Sequence, residues 1–285
     1  MRFDLLHEAL TRFKIEYEDA VRTATFRGKT YENGERARMA LIRSSRLILK
    51  VHEVGKISIC GQIEKNGRNY VVHPPLGQRN PELKVTGFIK TKKQDLTYIF
   101  DGDRLEEEVI KVGALKDQFD PVGHETSERS IVVGVRSQLS SIAKNIDTLM
   151  ERSFAETLNL RLRLPELVMG EIYLIPTHEY LSEPMKANSV RFNADATDIE
   201  KFVKIFNMIS DRTDTEEIEQ SYKYERTALI VADFRQSPPK IYQSHSELVE
   251  DGLIPLDSTC DYDSVSITGF SKDLVGIHAE RHPPR

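Results

Sequence analysis

Four apolar runs constrain this chain more than anything else in it: LTYIF (96–100), SIVVGV (130–135), LVMGEIYLIP (167–176) and TALIVADF (227–234). Each is short, rich in β-branched and aromatic residues, and bounded by turn signals or proline, which is the pattern of a buried strand. The segments between them are helical. Residues 141–162 repeat apolar side chains at Ile142, Ile146, Leu149 and Met150, with Ser153 closing the stripe, and TDIEKFVKIFNMISDR sets Ile199, Phe202, Val203, Phe206 and Ile209 on one side. Strands alternating with amphipathic helices predict an α/β (mixed α+β) fold, a central mixed β-sheet flanked by helices.

The ends of the chain extend this frame. Apolar spacing over 3–24 predicts a helix, and Asn33 is a good N-cap for a second one running through GERARMALIRSSRLILKVHEV. SITGFSKDLVGIHAERH reads as a short terminal helix, and the Gly-, Pro- and Asn-rich residues 65–86 as turns or a hairpin. Residues 101–130 are polar and acidic, a surface excursion. The expected organisation is a helical N-terminal region (1–70), facing DNA or forming a dimer, and an α/β core with a C-terminal extension (71–285).

Charge is unevenly distributed. Residues 1–95 hold 19 Lys and Arg against 11 Asp and Glu, a balance of +8, leaving 21 against 34, or −13, for the rest. Within the second helix Arg36, Arg43, Arg46 and Lys50 are spaced to share a face, a basic ridge suited to phosphate. No stretch approaches the roughly 18–20 apolar residues that span a bilayer. Asp4 and Glu8 break the N-terminal apolar pattern, so it does not read as a signal peptide. Cys60 and Cys260 are far apart with no metal-ligand spacing. A reduced, cytoplasmic protein is the expectation.

Several common chemistries are missing: there is no phosphate-binding GxxxxGK[ST] loop, no GxGxxG, HExxH, GxSxG or CxxC. The informative residues are polar ones at strand ends. Asp95 precedes LTYIF and follows Lys90, Lys92 and Lys93. A carboxylate there has no packing role and, with lysines beside it, suits a divalent cation and a phosphate. The run IVVGVRSQ ends in Arg136, Ser137 and Gln138, and alternation puts Arg136 and Gln138 on the face that carries Gly134. In the helix that follows, Asp147 and Glu151 are i,i+4 neighbours on a polar flank, after Asn145. Alternatively, each of these groups is a solvated helix face or a salt-bridged strand cap.

QDLTYIF, VGVRSQ, KNIDTL and MERSFAETLNL, in that order and spacing, resemble the PD-(D/E)xK nuclease superfamily, type II restriction endonucleases in particular; the likeness covers about residues 75–180. The resemblance implies a Mg²⁺-dependent endonuclease that hydrolyses double-stranded DNA, working as a homodimer. Asp95 then takes the place of the family's metal-binding Asp, and Arg136 that of the Lys that orients the attacking water. Gly134 stands where a second carboxylate belongs. Glu151 is the expected replacement, with Asp147 second, and a supporting Glu could be Glu53 or Glu35. Gln138 positions water or phosphate. Lys90, Lys92, Lys93, Arg43, Arg46, Ser137 and Asn145 are the expected DNA contacts. The alternative class is a catalytically silent DNA-binding or assembly protein that keeps the fold. A single-stranded RNA substrate would call for aromatic stacking; with no Trp and 8% aromatic residues, no stacking signature is visible.

Overall fold

The computed structural model of the 285-residue chain describes residues 2–284. Its organising element is a six-stranded mixed sheet. In chain order the elements that build it are α1 (Phe3–Thr23), α2 (Gly34–Arg43), α3 (Ile48–Lys65), β1 (Tyr70–His73), β2 (Leu96–Phe100), β3 (Ile131–Ser137), α4 (Ile142–Arg161), β4 (Val168–Pro176), α5 (Ile199–Ile209), β5 (Arg226–Asp233), β6 (Lys240–Ile241) and α6 (Ile267–Arg281). The four apolar runs are β2 to β5, and the mixed α+β architecture is the expected one.

Strand order follows the chain. β1, β2 and β3 form an antiparallel meander, β3, β4 and β5 run parallel through α4 and α5, and β6 returns antiparallel. Parallel strands buried on both faces read as near-continuous apolar runs, which is why β4 and β5 are buried at every position. On one face Val133, Ile172, Ala228 and Ile230 share a core with α1, α3 and α6. On the other, Tyr173, Ile175, Leu229 and Val231 pack against Ile142, Ile146 and Leu149 of α4 and the apolar stripe of α5. The three N-terminal helices thus belong to the same apolar cluster as the sheet. No described helix is long and apolar enough to cross a membrane.

Two local expectations change. Asn33 does cap α2, accepting from the Arg36 N–H at 3.0 Å, but the helix stops at Arg43 and restarts at Ile48. The Ser44 hydroxyl bonds back to the Leu41 carbonyl at 2.6 Å and Ser45 sits at φ 59°, so the serine pair turns the chain. The four-residue basic ridge is therefore split between two helices, and Arg46 and Lys50 are neutralised by Glu16 of α1 at 2.7 and 2.8 Å. The acidic stretch 101–130 is more tied down than a surface excursion. Asp120 is fully buried, pairing with Arg163 at 2.7 Å and accepting from Thr86.

Candidate active site

β2 enters the sheet alongside β3, with Leu96 opposite Val133. One residue earlier, Asp95 comes level with Gly134, and its Oδ2 accepts the Val135 N–H at 2.9 Å. On the other side of β3 the parallel register sets Gly134 opposite Glu171 of β4 and Arg136 opposite Tyr173. One row across three strands therefore reads Asp95, Gly134, Glu171.

Gly134 makes this row possible. A Cβ there would lie 2.1 Å from Glu171 Oε2 and 3.1 Å from its Cδ. The Glu171 carboxylate thus occupies the space that a β3 side chain would have filled. It is 1% exposed. Burial pushes its pKa up to about 8, against the pull of Arg136, and the charges of Glu156 and Asp95 push the same way. Its Oε1 lies 3.1 Å from Arg136 Nε but has no hydrogen-bond partner.

Arg136 is the hub. Its Nη2 donates to Glu156 of α4, which also receives Lys92. Glu171 above all, then Glu156, with Asp95 adding to them, raises the guanidinium pKa. Nη1 is buried with no partner. Beyond β3, Gln138 is held on both sides, its Oε1 accepting from the Tyr173 hydroxyl at 2.9 Å and its Nε2 donating to the Ser141 carbonyl at 2.9 Å.

Two cavities open on this cluster. One of about 600 Å³ lies outside the carboxyl end of β3, between the N-terminal helices and α4. Arg136, Ser137, Gln138, Asn145, Arg152 and Tyr173 form its polar wall, and Phe13, Ile42 and Leu47 an apolar one. Crevices at the carboxyl ends of parallel strands are where open α/β sheets bind ligands. The other, about 300 Å³, has Asp95, His52, Glu53, Lys56, Arg46 and Arg79 in its wall. Burial lowers the His52 pKa, opposed by Asp95. Glu53 pairs with Lys56 at 2.7 Å and accepts the Gly77 N–H at 2.7 Å.

The expected residues divide accordingly. Lys92 and Arg136 come together on Glu156. Asp95 accepts the Val135 N–H and acts on the Arg136 charge from the neighbouring strand end, and Ser137, Gln138 and Asn145 share the larger cavity. Arg46 reaches the smaller one but is paired. Lys90 and Arg43 are exposed, and Lys93 is exposed 3.8 Å from Glu82. Glu151 and Asp147 are not brought to Asp95. The face of α4 that meets the sheet is Ile142, Ile146, Leu149, Ser153 and Glu156, and at about 100° per residue Glu151 and Asp147 turn to solvent. The α4 carboxylate that reaches Arg136 is Glu156. Glu35 lies on α2 away from these walls.

Glu156, Glu171, His52 and Arg152 escaped the sequence reading. Two of them carry a signal. Glu171 is the one charged residue within VMGEIYLIP, and Glu156 extends the stripe from Ile142 through Leu149 at seven-residue intervals. A carboxylate in an apolar periodic position needs a partner.

Among the described residues, no three His, Cys, Asp or Glu side chains gather into a group able to hold a metal ion. Mg²⁺ needs fewer, since it takes one or two carboxylates and completes its shell with water and phosphate oxygens. The row flanking Gly134 offers donors of that kind: Asp95 and Glu171 are hard oxygen donors, and Glu171 Oε1 is buried without a hydrogen bond. No protein-family model matches the chain, and no curated protein or solved structure matches it.

Proposed function

We propose that the protein is a restriction-type endonuclease that hydrolyses phosphodiester bonds in double-stranded DNA with Mg²⁺. The observation that carries this reading is the bond from the Val135 N–H to Asp95 Oδ2, which joins the Asp-bearing segment to the VGVRSQ strand beside a cavity at the carboxyl edge of the sheet. Arg136, in the wall of that cavity, pairs with Glu156 and Glu171, Lys92 pairs with Glu156, and Asp95 adds its charge from the end of β2, a mixture of acids and cations of the kind phosphoryl chemistry uses.

Mg²⁺ held at Asp95 would lower the pKa of a bound water and offset charge on the scissile phosphate. The chain's own residues do the rest. Arg136 offers a permanently charged donor fork, and its buried Nη1 has no partner within the protein, so a small turn of the guanidinium towards the cavity would give it a phosphate oxygen. Being always protonated, Arg136 stabilises charge and takes no proton. Lys92 adds a second cation at Glu156. Gln138, fixed by Tyr173 and the Ser141 carbonyl, orients water or phosphate, and Arg152 and Asn145 line the same wall for the sugar-phosphate backbone. Cutting both strands calls for a second copy of the chain, in a homodimer acting in the cytoplasm.

One observation favours the second reading, a silent DNA-binding protein: Arg136 and Lys92 already neutralise the acidic cluster. Incubating the protein with phage and plasmid DNA, with Mg²⁺ or with EDTA, separates the two. Discrete fragments only with Mg²⁺ support the nuclease, and intact DNA with every divalent metal refutes it. Asp95→Ala should abolish cleavage and leave DNA binding in a gel-shift assay within a few-fold.

A further inference from the structure

We infer that Glu171 is the second carboxylate of the cation site: β4 delivers across the sheet the acidic group that β3 lacks at Gly134. The inference rests on the nuclease reading for its purpose and on the sheet for its geometry. Three observations converge. Gly134 leaves its space to Glu171 Oε2, 2.1 Å from the site of a Cβ. Gly134 is flanked on its other side by Asp95, whose Oδ2 is pinned to the next backbone N–H of the same strand. And Glu171, nearly fully buried, keeps one oxygen without a hydrogen-bond donor.

Nothing in the packing of the apolar core asks for a carboxylate at this position. The strand on either side of Glu171 is apolar and buried, and a buried acid is tolerated only where it is paired. Here the pairing is with Arg136, 3.1 Å away, a side chain that also serves Glu156. Arg136 therefore holds the place of the cation. A divalent ion at Asp95 and Glu171 competes with the guanidinium for the carboxylate, and a phosphate in the larger cavity draws the guanidinium off. Ion and phosphate are expected to bind with mutual reinforcement, as both relieve the same internal ion pair.

The test is Mn²⁺ binding by the full chain, followed by electron paramagnetic resonance and calorimetry, alone and with a short DNA duplex. Wild type should bind one Mn²⁺ per chain, more tightly with duplex present. Glu171→Gln and Asp95→Asn should each weaken binding by at least about tenfold. Arg136→Gln should strengthen binding in the absence of DNA, which a purely structural Glu171 would not produce. The paired exchange Gly134→Glu with Glu171→Gly, which returns the carboxylate to β3, should keep binding within about tenfold of wild type and remains readable if Glu171→Gln does not fold. Unchanged affinity in Glu171→Gln, loss in Glu151→Gln instead, or no Mn²⁺ bound at millimolar concentration overturns the inference. Metal bound through Glu171 with DNA left intact overturns the nuclease reading alone, and cleavage that survives Glu171→Gln overturns the role of Glu171 alone.

Discussion

Replacing Gly134 with Ala probes the site without reference to catalysis. The added Cβ meets Glu171 Oε2 at 2.1 Å and Cδ at 3.1 Å, where ordinary contact begins near 3.4 Å. The carboxylate has to retreat by more than an ångström inside a cluster where Glu171 is 1% exposed and Arg136 Nε stands 3.1 Å away. Overpacking of this kind costs about 1–3 kcal/mol. Full loss of the buried ion pair would cost about 3–5 kcal/mol, and the methyl group returns about 0.5–1 kcal/mol of backbone entropy in a strand. A partial retreat sums to a net loss of about 2 kcal/mol. With an unfolding entropy near 2.1 cal/mol/K per residue over this length, that lowers Tm by about 3 °C. The assay is urea unfolding of a double-mutant cycle with Glu171→Ala. Once the carboxylate is gone, Gly134→Ala should be neutral or slightly stabilising, so the coupling should be about 2 kcal/mol. Equal costs in both backgrounds would show that Gly134 does not make room for Glu171.

Three further outcomes follow from other parts of the molecule. His278 is buried between the Arg129 carbonyl at 2.7 Å and Arg68 Nη1 at 2.9 Å, and its ring stacks on Phe100 at 3.9 Å. Burial pushes its pKa down to about 3. The folded state therefore binds fewer protons than the unfolded one between about pH 3 and 6.5, and His278 costs no stability above 6.5 but removes it as pH falls. Wild type should lose about 3 kcal/mol more than His278→Gln between pH 6.5 and 4 in denaturant titrations; parallel curves would refute this. Glu225, fully buried, holds Arg161 at 2.5 Å, Arg281 at 2.8 Å and the Met169 N–H at 2.6 Å, and despite burial these keep its pKa below the ordinary value. Glu225→Gln should cost about 3–5 kcal/mol, since it strands buried guanidinium charge, and a loss under 1 kcal/mol in chemical denaturation would contradict it. If the larger cavity contacts phosphate, Arg152→Gln should reduce the salt slope of DNA affinity by about one unit in fluorescence anisotropy, and an unchanged slope would remove Arg152 from the interface.

Much of the frame is legible in the residues. β2 to β5 and α1, α4, α5 and α6 follow from apolar periodicity, because burial of one face is a local demand on local sequence. The break at Ser44–Leu47 was hidden because GERARMALIRSSRLILK keeps a helical apolar rhythm through it, and two serines turning the chain leave little mark. Asp95 and Arg136 stood out as polar residues at the ends of apolar runs. The i,i+4 spacing of Asp147 and Glu151 suggests a site in the sequence, whereas the helix turns that flank to water and sets Glu156, on its sheet-facing stripe, against Arg136.

The sequence by itself determined a mixed α+β protein with an acid and an arginine at the lip of its sheet, since hydrophobic period and strand-end polarity are properties of neighbours along the chain. Only the tertiary structure decided that Glu171, 37 residues after Gly134, would fill the space beside it. That meeting depends on the register of two parallel strands, and register is set by how α4 and the two cores lock the strands together. A slip of one residue would turn Glu171 to the opposite face and leave Gly134 empty.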